Sequence, residues 1–125
     1  MKCVVNPESL PAAAGPYSQA VRSGNHVFVA GMVGMDRNRK LAPDAAGQTR
    51  RALENMAACL ADLGGAMADV CSVTAWLEDI DRDFATYNTV YREFFPADPP
   101  ARATVQAHLM GGALVEIAAV AVLDD

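Results

Sequence analysis

Histidine and cysteine are scarce in this chain, with two of the first and three of the second in 125 residues. Cys3, Cys59 and Cys71 are odd in number and widely spaced. They make neither a metal-ligand pattern nor a disulfide framework, which fits a reducing compartment. His26 and His108 lack partners at any ligand spacing, so they read as ordinary strand or rim residues. Positive charge is also short, with ten Lys and Arg against 15 Asp and Glu and a net charge of −5. A pI near 4.8 and the lack of any basic stripe argue against nucleic acid as a partner. No apolar run approaches the roughly 18 residues needed to span a membrane. Lys2 is soon followed by polar Asn6-Pro7-Glu8-Ser9, so no secretory signal is read and the cytoplasm is expected. Linkers, repeats and low-complexity stretches are lacking as well, which leaves one domain over residues 1–125.

What is present is a slightly apolar globular composition, 52% hydrophobic and 20% charged. Alanine and valine carry much of the excess, and part of it is expected to be buried between subunits. Pro11 to Pro16 is an extended or turning lead-in. Residues 17–22 and 26–30 read as strands joined at Ser23-Gly24-Asn25, a hairpin. Gly31 and Gly34 then allow unusual backbone angles or a close approach. Asp44 is a candidate N-cap for a helix with Leu53, Met56, Leu60 and Leu63 on one face, closed by Gly64-Gly65. Residues 70–77 read as a strand. A second helix, starting near Asp81 or Asp83, carries Phe84, Tyr87, Tyr91 and Phe94 at helical spacing and stops at Pro96. The Asp79–Asp83 charge run reads as a solvated turn plus helix cap. Cys59 and Cys71 read as small core residues. Two strands follow, separated by a turn at Met110-Gly111-Gly112. The economical architecture is α+β, with two helices on one face of a single mixed sheet.

Arg102 and Glu116 stand out. Each is a lone charge in a strand-like run of apolar or small residues, where a charge is costly unless paired or solvated in a pocket. A guanidinium is shaped to hold a carboxylate by two parallel hydrogen bonds, and a carboxylate beside it can activate water. One reading is a site for a small organic acid. The other is a structural ion pair between neighbouring strands. If the two strands form a hairpin, its turn decides the geometry, because cross-strand neighbours share a face. A two-residue turn at Gly111-Gly112 puts Arg102 and Glu116 on opposite faces. A three-residue turn, with Gly112 in the left-handed position, puts them on the same face. A site using both needs the second arrangement or a neighbouring subunit.

Several segments resemble one family in the expected order. Gly15-Pro16-Tyr17-Ser18-Gln19-Ala20-Val21 resembles the N-terminal signature of the YjgF/Rid family, the reactive intermediate deaminases. Asn88-Thr89-Val90-Tyr91-Arg92-Glu93-Phe94-Phe95 is similar to its second helix. Pro100-Ala101-Arg102-Ala103-Thr104-Val105 resembles its arginine motif, and Val115-Glu116-Ile117 its final strand. The match runs from about Pro7 to Val122. The resemblance implies a chorismate-mutase-like fold, a homotrimer with active sites between subunits, and cofactor-free hydrolysis of enamines and imines such as 2-aminoacrylate to 2-keto acids and ammonia.

Under that resemblance Arg102 clamps the substrate carboxylate and Glu116 activates water. Backbone N–H groups at Gly31 and near Thr104 hold the acid or the developing charge. Tyr17 is either the pocket tyrosine or a rim aromatic. Phe84 lines the pocket or only packs. Asn88 bonds a loop near the site or sits on the surface. The chain departs from the family pattern twice. Ala30-Gly31-Met32 stands where many members have Ser-Gly-Gln, and Thr104 stands where typical deaminases often carry cysteine. Both departures bear on the substrate, and a more apolar site would accept a larger, pathway-specific enamine, such as 2-aminomuconate. A further alternative is a binding or chaperone-like trimer, which would need Arg102 but no water activator.

Overall fold

Residues Val115–Val122 alternate buried and half-buried along their whole length, as a strand with one face in a core does. In the computed structural model, which describes residues 2–124, this is the fourth strand across a six-stranded sheet. The strands are β1 (Lys2–Val5), β2 (Ala20–Ser23), β3 (His26–Val33), β4 (Val70–Leu77), β5 (Ala101–Gln106) and β6 (Val115–Val122). The helices are α1 (Ala45–Asp62) and α2 (Ile80–Phe94). The order across the sheet is β1-β2-β3-β6-β4-β5. Only β4 and β5 are parallel neighbours, and every other adjacent pair is antiparallel. Both helices pack on the face that carries Val115, Ile117, Ala119 and Ala121 of β6 and Val73, Ala75 and Leu77 of β4. The fold is therefore α+β with both helices on one face of a mixed sheet, as the pattern predicts.

Local chemistry explains the helix ends. Asp44 accepts the Gly47 N–H at 2.8 Å and starts α1. At the other end Gly64 adopts φ +86°, its N–H reaches Ala61 O, and the Gly65 N–H reaches Leu60 O. That is the Schellman closure that glycine favours. α2 starts at Ile80 rather than at Asp81 or Asp83, because Asp79 accepts the Arg82 N–H at 3.1 Å. Asp83 is not solvated: it is buried and bonded by Arg82 at 2.8 Å.

Some expectations are corrected. β1 is an extra edge strand beside β2, hidden in the sequence because polar residues follow it at once. β2 begins at Ala20, not Tyr17, which leaves Tyr17 in the lead-in loop. Cys71 is exposed, whereas Cys59 is fully buried and its thiol is pushed up to about 12. The last two strands form no hairpin, because β4 lies between them. Their connection wraps the end of β4, with the Ala107 N–H on Leu77 O and the Glu78 N–H on Leu114 O. Turn length at Gly111-Gly112 therefore sets no register between Arg102 and Glu116.

Gly34 fixes how closely α1 approaches β3. A Cβ there would lie 2.6 Å from Gln48 Cβ and closer still to the Gln48 backbone. Gln48 is buried and ties two segments, donating to Ala42 O and accepting the Leu114 N–H. Gly34→Ala is expected to destabilise the protein by about 3 kcal/mol, the scale of a core overpacking that only backbone movement relieves. Urea unfolding measures it, and a loss below about 1 kcal/mol would show that α1 moves freely.

Candidate functional site

Arg102 lies opposite Val73, and Thr104 opposite Ala75, in the β4–β5 register. Both side chains therefore start on the helix side of the sheet, at its β5 edge. There α2 presents Phe84, Tyr87, Asn88 and Tyr91, at spacings that share one helix face. The Arg102 guanidinium carbon sits 5.9, 5.2 and 4.7 Å from the ring centres of Phe84, Tyr87 and Tyr91. Asn88 Oδ1 accepts its Nη1–H at 2.9 Å. The aromatic faces and the amide orient the guanidinium without neutralising it. Among the described residues no carboxylate comes within salt-bridge distance of it.

The surroundings of this guanidinium are unusually under-bonded. The hydroxyls of Tyr87 and Tyr91 and Oγ1 of Thr104 are buried with no hydrogen-bond partner among the described residues. Burial pushes both tyrosine hydroxyls up, Tyr91 to about 12, although the Thr104 hydroxyl near Tyr87 and the Arg102 charge near both pull the other way. Two clefts, of about 490 and 430 Å³, open on Arg102 from either side.

Glu116 lies opposite Trp76 of β4 and Val33 of β3, on the face that no helix covers. Beside it β3 carries a bulge, since the register jumps from Val29↔Ala119 to Met32↔Ile117. Two residues, Ala30 and Gly31, thus oppose one on β6. A Cβ at Gly31 would fall on Glu116 Oε2, so any side chain there would push the carboxylate out of this position. Burial raises the Glu116 pKa above the ordinary carboxylate value, and no charged neighbour contributes.

Glu116 and Gly31 line a cleft of about 460 Å³ together with Tyr17 and the lead-in loop. Hydrogen bonds fix that loop. Gln19 donates to Pro11 O at 2.9 Å, its own N–H reaches Asn6 Oδ1 at 3.0 Å, and the Ala14 N–H reaches the Tyr17 hydroxyl at 3.3 Å.

The residues singled out from the sequence thus fall into two groups. Tyr17, Gly31 and Glu116 share one cleft; Phe84, Asn88, Arg102 and Thr104 share the other region. The groups start on opposite faces of the sheet with β4 between their strands. A structural ion pair between neighbouring strands is excluded, because the strands are not neighbours. Asn88 bonds the guanidinium itself rather than a loop backbone. Sequence reasoning placed Tyr87 and Tyr91 only on a packing face, although their spacing around Asn88 was a legible signal. His108 bonds Glu78 at 3.0 Å and lines neither cleft. No group of three or more His, Cys, Asp or Glu suited to a metal ion occurs among the described residues. No helix of the described residues is long and apolar enough to cross a membrane.

Comparison with known proteins bears on the family and the fold. The family described as Endoribonuclease L-PSP matches residues 7–123. The 3-aminoacrylate deaminase RutC of Acinetobacter baylyi is 39% identical, over 96% of this chain and 97% of its own. The 2-iminobutanoate/2-iminopropanoate deaminase of Homo sapiens is 37% identical, over 95% of this chain and 88% of its own. The crystal structure of E. coli TdcF with bound serine superposes with a TM-score of 0.92 at 33% identity, covering 98% of this chain and 99% of that one. With a family match over nearly the whole chain, and with the same sheet and helices, the chain belongs to the YjgF/Rid family, the one described as endoribonuclease L-PSP.

Proposed function

We propose that the protein is a homotrimeric hydrolase of reactive 2-imino and 2-enamino acids, with each site shared between two protomers. The observation that carries this reading is the separation of Arg102 from Glu116. One protomer offers an oriented, unneutralised guanidinium in one place and a half-buried, proton-avid carboxylate in another. Each half-site lacks what the other supplies. A head-to-tail contact that brings Arg102 of one protomer to Glu116 of the next closes as a ring, the trimer that the family resemblance implies. The uncovered sheet face supports such a ring, since it exposes Phe28 (47%) and Val105 (46%) beside Trp76 and Val120.

In the joined site the Arg102 fork holds the substrate carboxylate. Glu116 takes a proton from water as oxygen bonds to the imine carbon, and returns a proton to the departing nitrogen. The C–N bond breaks, ammonia leaves and a 2-keto acid remains. An enamine first takes a proton on carbon to become the imine. The backbone N–H of Gly31 and those near Thr104 support the acid and the developing charge. Imines of this kind also hydrolyse in water, so positioning and proton transfer suffice without a cofactor. The names of the Acinetobacter and human relatives point the same way. A ribonuclease role, which the family description carries, gets no support from a net charge of −5.

The test couples a pyridoxal-phosphate dehydratase, which releases 2-aminoacrylate from serine, to this protein with semicarbazide present to trap imine. Diversion to pyruvate, by a species sedimenting at three times 13.2 kDa, is the expected result. A stable monomer would overturn the shared site. A folded trimer that diverts nothing would shift the reading to a larger enamine or to ligand binding alone.

A further inference from the structure

The Glu116 cleft holds a second cation that neither half-site uses. Arg39 lines it, on the turn between Met35 and Leu41, which bridge antiparallel. Asp36 builds that turn. Its carboxylate accepts the N–H groups of Asn38 and Lys40 at 2.9 and 3.0 Å, and its carbonyl accepts the Arg39 N–H at 2.9 Å. The cost falls on Arg39, whose φ is +64°. There the Cβ crowds the backbone, and glycine is the usual occupant. Strained outliers of this kind gather at ligand clamps and active sites.

The side chain is directed as well as strained. Arg39 Nη1 donates to Ala12 O at 2.8 Å, which draws the guanidinium over the lead-in loop that carries Tyr17. A carbonyl uses one N–H and leaves the charge in place. No carboxylate lies within salt-bridge distance of Arg39 among the described residues. The rest of its N–H fork is suited to an anion.

Two further polar side chains of the cleft are committed to the backbone. Gln19 bonds Pro11 O, and Asn55 donates to the carbonyls of Val33 and Met35. Glu116 serves water, and the other side chains of the wall are largely apolar. An anionic substituent on the substrate would meet Arg39 as the one cation of this wall among the described residues, beside the Tyr17 hydroxyl, which accepts the Ala14 N–H and keeps its own O–H to donate.

We propose that Arg39 is a specificity-determining residue that binds a second carboxylate, so that the preferred substrate is a dicarboxylic 2-imino or 2-enamino acid. This rests on the imine-hydrolase reading above, with Arg102 of the neighbouring protomer on the first carboxylate. Water adds across the C=N bond, ammonia leaves, and the second carboxylate emerges unchanged in a 2-keto dicarboxylate.

The test uses two imines of matched length, made in situ by oxidising glutamate and norvaline, at low ionic strength because Arg39 is exposed. It compares wild type with Arg39→Gln and Arg39→Gly, the second of which relieves the strained φ and guards against misfolding. The readout is the ratio of kcat/KM between the two imines, together with calorimetric binding of their keto products, 2-oxoglutarate and 2-oxopentanoate. We expect the wild type to favour the dicarboxylate about tenfold or more, the scale of one charge-assisted pair, with the ratio near one in both variants. A wild-type ratio below about two, or a ratio that both substitutions leave unchanged, overturns the proposal. If neither imine is consumed, the deaminase reading fails on its own. Calorimetry then decides Arg39: selective 2-oxoglutarate binding lost in both variants supports it, and binding unaffected by them overturns it.

Discussion

Arg102→Ala lowers kcat/KM for 2-aminoacrylate by about a thousandfold while the protein still folds. The fork makes two charge-assisted hydrogen bonds to the substrate carboxylate, each worth about 1.5–3 kcal/mol, and about 4 kcal/mol is a thousandfold. The fold is little affected, because Arg102 is exposed and pairs with rings and an amide rather than a buried acid. Exposed cation–π contacts contribute about 0.5–1 kcal/mol each, so losing all three costs about 2 kcal/mol and lowers the melting temperature by roughly 10 °C, which leaves the protein folded at assay temperature. Arg102→Lys keeps the charge on the edge strand but loses the fork, and its rate should fall between the two. Steady-state kinetics beside a thermal melt separates the outcomes. Wild-type kcat/KM in the alanine variant would show that Arg102 does not hold the substrate.

Glu116→Gln lowers kcat by a comparable factor, about 10²–10⁴, with a smaller change in KM, because the group acts on water rather than on the substrate carboxylate. Its pH behaviour carries a second signature. Burial raises the Glu116 pKa, so the acid limb of kcat is displaced upward from the ordinary carboxylate value and disappears in the variant. Stability moves oppositely. The folded state favours protonated Glu116, so that stabilisation is complete below the unfolded pKa and is lost as pH rises through the higher folded value. At neutral pH the glutamine protein should be at least as stable as wild type, and the difference should close near pH 4. Denaturant unfolding across that range, paired with kcat profiles, measures both. A variant that is inactive and markedly less stable at pH 7 would make Glu116 structural.

Local signals were legible where local chemistry dominates. Asp44, the apolar face through Leu63 and the Gly64-Gly65 closure define α1 almost to the residue, because capping and helical spacing act within a few positions. Val70–Leu77 was equally plain. Asp79 was harder, since a cap inside a run of acids is settled only by which carboxylate meets a free N–H. β1 and the exposed Cys71 were hidden, because edge position and burial depend on what lies across the sheet.

The sequence by itself determined the chemistry on offer. It supplied a guanidinium and a carboxylate in core-type strands, a glycine beside one, aromatics and an amide at helical spacing for the other, and the family to which they belong. It also determined the two helices and the central strands, because caps, prolines and apolar periodicity act through near neighbours. Only the tertiary structure decided where those groups stand. Strand order is set by burial across the whole sheet, and β6 gains two partners by entering between β3 and β4 rather than folding back on β5. That choice parts Arg102 from Glu116 within one chain and brings Arg39, unnoticed in the sequence, into the Glu116 cleft. Neither placement is written in residues near each other, because both follow from contacts between segments far apart in the chain.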